Sequence, residues 1–175
     1  MKEDIDPTSF ALVRVVIDQN KRYLASGFTL IELLVVIAII GILSTIVLGS
    51  LDTARGKGSD AATKSNLDNT RTQAEIYYDS QVPTNIYTGV CTSIGLGGIS
   101  NMIIGAKSSS GATNINTTYA TGGSSNTVTC HDSANNYAAE APLKDGTHFW
   151  CVDSTGTSTS HLNHISGSAV VCTAG

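Results

Sequence analysis

Four cysteines, four histidines and one carboxylate inside an apolar run are the residues of this sequence with chemistry to offer. Cys91, Cys130, Cys151 and Cys172 are even in number and widely spaced. Downstream of a membrane-targeting segment, that pattern reads as two disulfides in an oxidising compartment. Three pairings are possible; Cys91–Cys130 with Cys151–Cys172 closes the shorter loops and is the pairing expected. The competing chemistry is a zinc site, with His131 beside Cys130 and His148 near Cys151. No CxxC or other tight ligand pair supports it, so no metal or cofactor is expected. His161 and His164, in "STSHLNHIS", are three residues apart but lie in a stretch that reads as loop, where solvated imidazoles are the expectation. Asp132, Asn135 and Asn136 faintly resemble a calcium-binding run with too few carboxylates. Asn116-Thr117-Thr118 fits the N-glycosylation pattern, which is common by chance. There is no GxSxG, HExxH, P-loop or paired-carboxylate motif, so no catalytic residue and no enzyme is expected.

The remaining chemistry-bearing group is Glu32, in "GFTLIELLVVIAII", residues 27–40. From Phe28 to Leu48 the chain is otherwise almost wholly apolar, and as a helix this stretch would be about 31 Å long, the depth of a hydrocarbon core. It is apolar on every face. A core helix has no use for so long a segment in so small a domain, and the chain after Leu48, GSLDTARGKGSD, offers no signal-peptidase site. A membrane-spanning helix is the reading that remains. Positive charges on the two flanks (Arg14, Lys21 and Arg22 against Arg55, Lys57 and Lys64) nearly tie, so charge does not orient it. The cysteines do: they place the C-terminal side in the oxidising space and the first 27 residues in the cytoplasm.

The whole chain has 175 residues, with 10 basic and 14 acidic side chains and a net charge of −4. That suits one domain with a tail, and it carries no basic patch for a nucleic-acid phosphate backbone. Residues 50–80 lack proline and suit a helix. Acid–base neighbours stand at helical spacing (Asp60/Lys64, Asp68/Arg71, Arg71/Glu75), and Leu67, Thr70, Ala74 and Tyr77 or Tyr78 form a stripe that could dock on a sheet. A kink or frayed turn is expected at Gly49 or at Gly56 and Gly58, since glycine costs about 1 kcal/mol in a helix interior. Pro83 should end the helix. Beyond it, short apolar patches alternate with turn signals: a strand from His148 to Val152, a final strand within 167–173, and a polar surface loop over 105–129.

A leader ending in glycine, followed by Phe-Thr-Leu-Ile-Glu-Leu and a run of Val, Ile and Leu, resembles the N-terminus of type IV pilins and their pseudopilin relatives. The likeness is dense from Gly27 to Leu48 and looser to about Tyr78. Residues 137–156, YAAEAPLKDGTHFWCVDSTG, also look like the last strands of bacterial major pilins. The resemblance implies an α+β fold with a long N-terminal helix packed on a small antiparallel sheet. It divides the chain into a leader at 1–27, a transmembrane and filament-core helix at 28–52, its amphipathic continuation at 53–80 and a disulfide-braced β domain at 81–175. It implies that a prepilin peptidase cuts after Gly27 and N-methylates Phe28, and that Glu32 pairs with the terminal amine of a neighbouring subunit.

The expected function is then that of a structural subunit, a major pilin. The precursor would sit in the cytoplasmic membrane as a single-pass protein with its N-terminus inside. An assembly platform would draw it into an extracellular homopolymer of the kind that serves adhesion or twitching motility. The alternatives are a type II secretion pseudopilin and a membrane-anchored extracytoplasmic binding protein that never polymerises. Two features depart from the common family pattern: the leader is long and partly acidic, and Gly49 stands where many pilins have proline.

Overall fold

A computed structural model describes residues 27–172 apart from Leu96 and Ala120. The leader segment 1–26, with Arg14, Lys21 and Arg22, lies outside the described residues. The chain divides into two compact units, one ending at Leu43 and one beginning at Ser44.

Helix α1 runs from Leu30 to Ser80. Its start is written in Thr29-Leu30-Ile31-Glu32. The Glu32 carboxylate accepts the Thr29 backbone N–H and the Thr29 hydroxyl, both at 2.8 Å. The Glu32 N–H in turn donates to Thr29 Oγ1 at 3.3 Å. This is a capping box, which satisfies donors that a helix N-terminus would otherwise leave orphaned. The expected break at Gly49, Gly56 or Gly58 is absent, and helix runs through all three. Glycine weakens a helix only by about 1 kcal/mol and keeps its N–H and C=O, whereas proline would remove a bond. The helix ends at Ser80, where the Ser80 hydroxyl donates to the Tyr77 carbonyl at 2.7 Å.

In the second unit, helix α2 (Ser100–Ser110) is followed by strands β1 (Asn114–Asn116), β2 (Thr127–Asp132), β3 (Tyr137–Pro142), β4 (Phe149–Asp153) and β5 (Ser158–His161). They form one sheet in sequence order, with β1 parallel to β2 and every other pair antiparallel. The α+β layout of a long helix and a small, mostly antiparallel sheet is the one the sequence led us to expect.

Side chains of a strand alternate between faces, so the register separates two surfaces of this sheet. One face carries Val128, Cys130, Tyr137, Ala139, Ala141 and Val152, which share a core with Leu67, Ala74 and Tyr77 of α1 and Ile103 and Ala106 of α2. The α1 stripe is thus the one foreseen. Gly97, at φ +83°, lies so close to the Tyr77 backbone that an added Cβ would be 2.4 Å from the Tyr77 nitrogen. The other face carries Ala138 and Cys151, which pack with Ile165, Ala169 and Cys172 of the C-terminal segment. With both faces covered, every residue of β3 is buried.

Three expectations are corrected here. The polar stretch 105–129 is not one surface loop: its first six residues belong to α2, residues 114–116 form β1 and residues 127–129 open β2. Ile99, Ile103, Ala106 and Ser110 recur at helical spacing and are buried, and Gly111 closes α2 in the left-handed conformation at φ 77°. The segment 167–173 is not a strand in its described part. β5 already occupies the sheet edge beside β4, so the segment has no ladder to join. The Cys172 N–H donates instead to Asp153 Oδ2 at 2.7 Å. Finally, none of the three helix-spaced acid–base neighbours is an ion pair among the described residues. Those side chains reach out of the helix: Asp60 accepts the Lys144 N–H at 2.7 Å, and Asp68 accepts Trp150 Nε1 at 3.1 Å and the Ser158 hydroxyl. Lys64 lies over the Trp150 ring at 4.6 Å, and Glu75 accepts the Tyr87 hydroxyl at 2.8 Å.

Candidate functional site

The residues proposed for processing and assembly lie at the start of α1. Gly27 has open space where a side chain would be, and Phe28 is 86% exposed just outside the first turn. Phe28, Ile31, Val35 and Val36 line a shallow apolar groove that also includes Glu32. Through the capping box, the Glu32 carboxylate is turned back onto Thr29, one residue from Phe28. A cut after Gly27 would create an ammonium on Phe28, next to a carboxylate already held at that end of the helix. The large apolar side chains from Leu30 to Leu48 are between 50% and 76% exposed, and the helix is long and apolar enough to cross a membrane. The capping box is a T-x-x-E pattern legible in the sequence, yet the sequence reading assigned Glu32 no local hydrogen-bond partner.

Elsewhere the chemistry-bearing residues serve the fold. Cys91 is bridged to Cys130 and Cys151 to Cys172, with Cα separations of 5.7 and 5.9 Å, leaving no free cysteine among the described residues. Asp132 accepts the backbone N–H groups of Gly89 and Cys91 at 3.1 and 3.0 Å, so its carboxylate is committed to a loop. Asn116 donates to the Thr121 carbonyl at 2.7 Å and accepts the Thr118 N–H at 3.0 Å, pinning its own turn. His148 is half-buried and paired with Asp145 at 2.6 Å. The N–H groups of His148 and Thr147 hold the Asp145 carboxyl down at about 2. His131 is buried, with Nδ1 donating to the Ala169 carbonyl at 3.2 Å.

The expectation of solvated histidines at 161 and 164 is overturned. His161 closes β5 and is 3% exposed, and His164 is half-buried with its ring against Phe149 at 4.1 Å. Both flank Glu140, a carboxylate buried at 0% exposure in the middle strand. Glu140 went unnoticed in the sequence reading. Its signal was a single charge within the apolar stretch YAAEAP. Among the described residues, no group of three or more His, Cys, Asp or Glu side chains is placed to hold a metal ion.

Residues 23–48 match the prokaryotic N-terminal methylation motif, and the chain is homologous to a type IV pilin. That relative is the type IV wide pilus major component PilA4 of Thermus thermophilus, 42% identical over 64 residues. The match covers 37% of this chain and 47% of the Thermus protein, so the chain spans about half of the relative's length. No solved structure matches the chain.

Proposed function

We propose that this chain is the structural, non-catalytic subunit of a type IV pilus-like filament. The precursor spans the cytoplasmic membrane with its N-terminus inside. A prepilin peptidase removes residues 1–27 and N-methylates Phe28. The assembly platform then transfers the helix from lipid into a homopolymer, where apolar contacts with neighbouring helices replace those with acyl chains. The methylation motif and the homology to a pilin major component support this reading. The observation that carries it is the pairing of an apolar helix, exposed on every side, with a carboxylate fixed at its first turn. A charge in lipid is costly, about 2.5–3.5 kcal/mol at mid-bilayer and less near the interface, so a glutamate kept there needs a partner. The ammonium created at Phe28 supplies one, in the same chain or in the next; between chains it sets the axial offset of adjacent helices.

Two substitutions separate the capping role of Glu32 from its charge. Glu32→Gln retains the capping box, which accepts glutamine, but lacks the charge. It should be processed to a Phe28 N-terminus and should fail to build sheared surface filaments. Glu32→Ala should lose both cap and filaments. Normal filaments from Glu32→Gln would show that the charge pair is dispensable. An uncut Met1 in the mature wild-type protein, read by mass spectrometry, would sink the filament reading. Filaments confined to the envelope would instead point to a pseudopilin.

A further inference from the structure

The C-terminal segment covering the second face of the sheet is held by polar side chains rising from that face. His131 reaches the Ala169 carbonyl, Asp153 the Cys172 N–H and Glu140 the Ile165 N–H, the last at 2.9 Å to Oε2. Ile165 also accepts the Gly123 N–H at 3.1 Å, and Gly123 sits so close that an added Cβ would be 2.1 Å from Glu140 Oε1. Glu140 is therefore the point where β3, the turn at Gly123 and the C-terminal segment meet.

The polar atoms around it are not all paired. Glu140 Oε1, Thr129 Oγ1, His161 Nε2 and His164 Nδ1 are buried with no hydrogen-bond partner. His161 Nδ1 bonds the Asn163 carbonyl, and a carbonyl only accepts, so this nitrogen carries the hydrogen. In the neutral ring Nε2 is then a lone pair, and it lies 3.7 Å from Glu140 Oε2. His164 Nδ1 lies 3.8 Å from Oε1. An ionised carboxylate in this place would keep the Ile165 N–H on Oε2 and have the Thr129 hydroxyl beside it, but it would also face the His161 lone pair in a dry interior, an arrangement that is costly unless a cation enters it. A proton is the smallest cation that would fit there, shared between the carboxyl and an imidazole.

We propose that Glu140, His161 and His164 form a proton-controlled latch: the cluster holds one proton while the segment from His164 to Cys172 is docked on the sheet, and release of that proton loosens the segment. Every group facing Glu140 is consistent with this. From β2, Thr129 stands directly opposite, with His131 on the same face but engaged with Ala169. From β4, Cys151 stands opposite and is locked in a disulfide, and Asp153 on that face is held as a carboxylate by its donors. From the end of β5 comes His161, and from the covering segment just after it comes His164. Burial pushes the Glu140 carboxyl up to about 7, and burial followed by the neighbouring His161 pushes His164 down.

The signs of the two shifts oppose each other. The raised carboxyl gives stability that is present at and below the ordinary carboxylate range and is lost as pH rises through about 7. The lowered His164 gives stability that is present above its ordinary range and is lost as pH falls. The carboxyl is isolated by comparing wild type with Glu140→Gln.

The test is an amide NMR titration of the full chain in detergent between about pH 5 and 8, in the range set by these two groups. The Ile165 N–H, which reads the Glu140 carboxylate directly, should titrate with a midpoint near 7. In Glu140→Gln that titration should vanish. The folded-to-unfolded ratio of wild type relative to the variant should fall by up to about tenfold per pH unit within the window. An Ile165 midpoint in the ordinary carboxylate range would overturn the proposal, as would the same titration in Glu140→Gln. Movement of the Ile165 signal on adding zinc at fixed pH would assign the site to a metal and overturn it too. If Glu140→Gln fails to fold, the Glu140 side-chain carboxyl carbon of the wild-type chain, followed over the same titration, decides the question: a midpoint near 7 supports the proposal and one in the ordinary carboxylate range overturns it.

Discussion

Helix α1 contains two regions that share a backbone and almost nothing else. From Leu30 to Leu48 its apolar side chains are all exposed. From Thr63 to Tyr77 it buries one stripe (Thr63, Leu67, Thr70, Ala74, Tyr77) and turns its charges to the sheet or to solvent. Backbone hydrogen bonding is the same in both, so helix formation alone distinguishes nothing. What differs is where each region finds its apolar partner. The second finds it within its own chain, in the sheet and α2. The first finds none among the described residues, which is the feature that the filament proposal would supply with lipid or with another copy. Local sequence builds the helix; the distribution of apolar residues around it decides which contacts are internal and which are left for assembly.

Truncation gives the largest test of that division. Leu67→Ala, at a position with 0% exposure, should destabilise the folded sheet unit by about 2–5 kcal/mol in denaturant unfolding. Leu43→Ala, at 57% exposure, should leave that stability unchanged within about 0.5 kcal/mol. Equal losses would mean that the two regions are not energetically distinct. Next in size is the bridge. Replacing Cys151 and Cys172 together by serine should cost about 2–4 kcal/mol, in a model where cross-links restrict the unfolded chain. The loss should appear in unfolding of the sheet and leave the helicity of residues 30–48 in detergent untouched. The smallest effect belongs at the near end of the docked region. Asp60→Ala removes the carboxylate that accepts the Lys144 N–H and should cost about 1 kcal/mol, visible as earlier amide exchange at Lys144. No change in that exchange would place the start of docking further along the helix.

How much of this was readable from residues alone depended on whether the deciding contacts were local. The apolar run and the stripe at Leu67, Thr70, Ala74 and Tyr77 are periodic signals within one element, and they translate directly into structure. The T-x-x-E box is equally local, its two members three residues apart in Thr29 and Glu32. The stretch 105–129 misleads because serine and threonine are compatible with helix, strand and loop alike. Its helical part is decided by Ile103 and Ala106 reaching a core made elsewhere. The same holds for the C-terminal segment: "SAVVC" has a strand's composition, but β5 already occupies the edge it would need. His161 is buried against a carboxylate on β3, and no spacing rule within "STSHLNHIS" could have announced that.

The two outer strands carry a further consequence. β1 is Asn-Ile-Asn and β5 is Ser-Thr-Ser-His, three and four residues long and largely exposed. Open strand edges are templates on which another chain can add, and short edges bearing amides and hydroxyls are poor ones. Crowding many copies side by side would therefore not knit their sheets into a continuous cross-β ribbon. In the proposed filament each domain would keep its own sheet, and lateral order would have to come from some other surface.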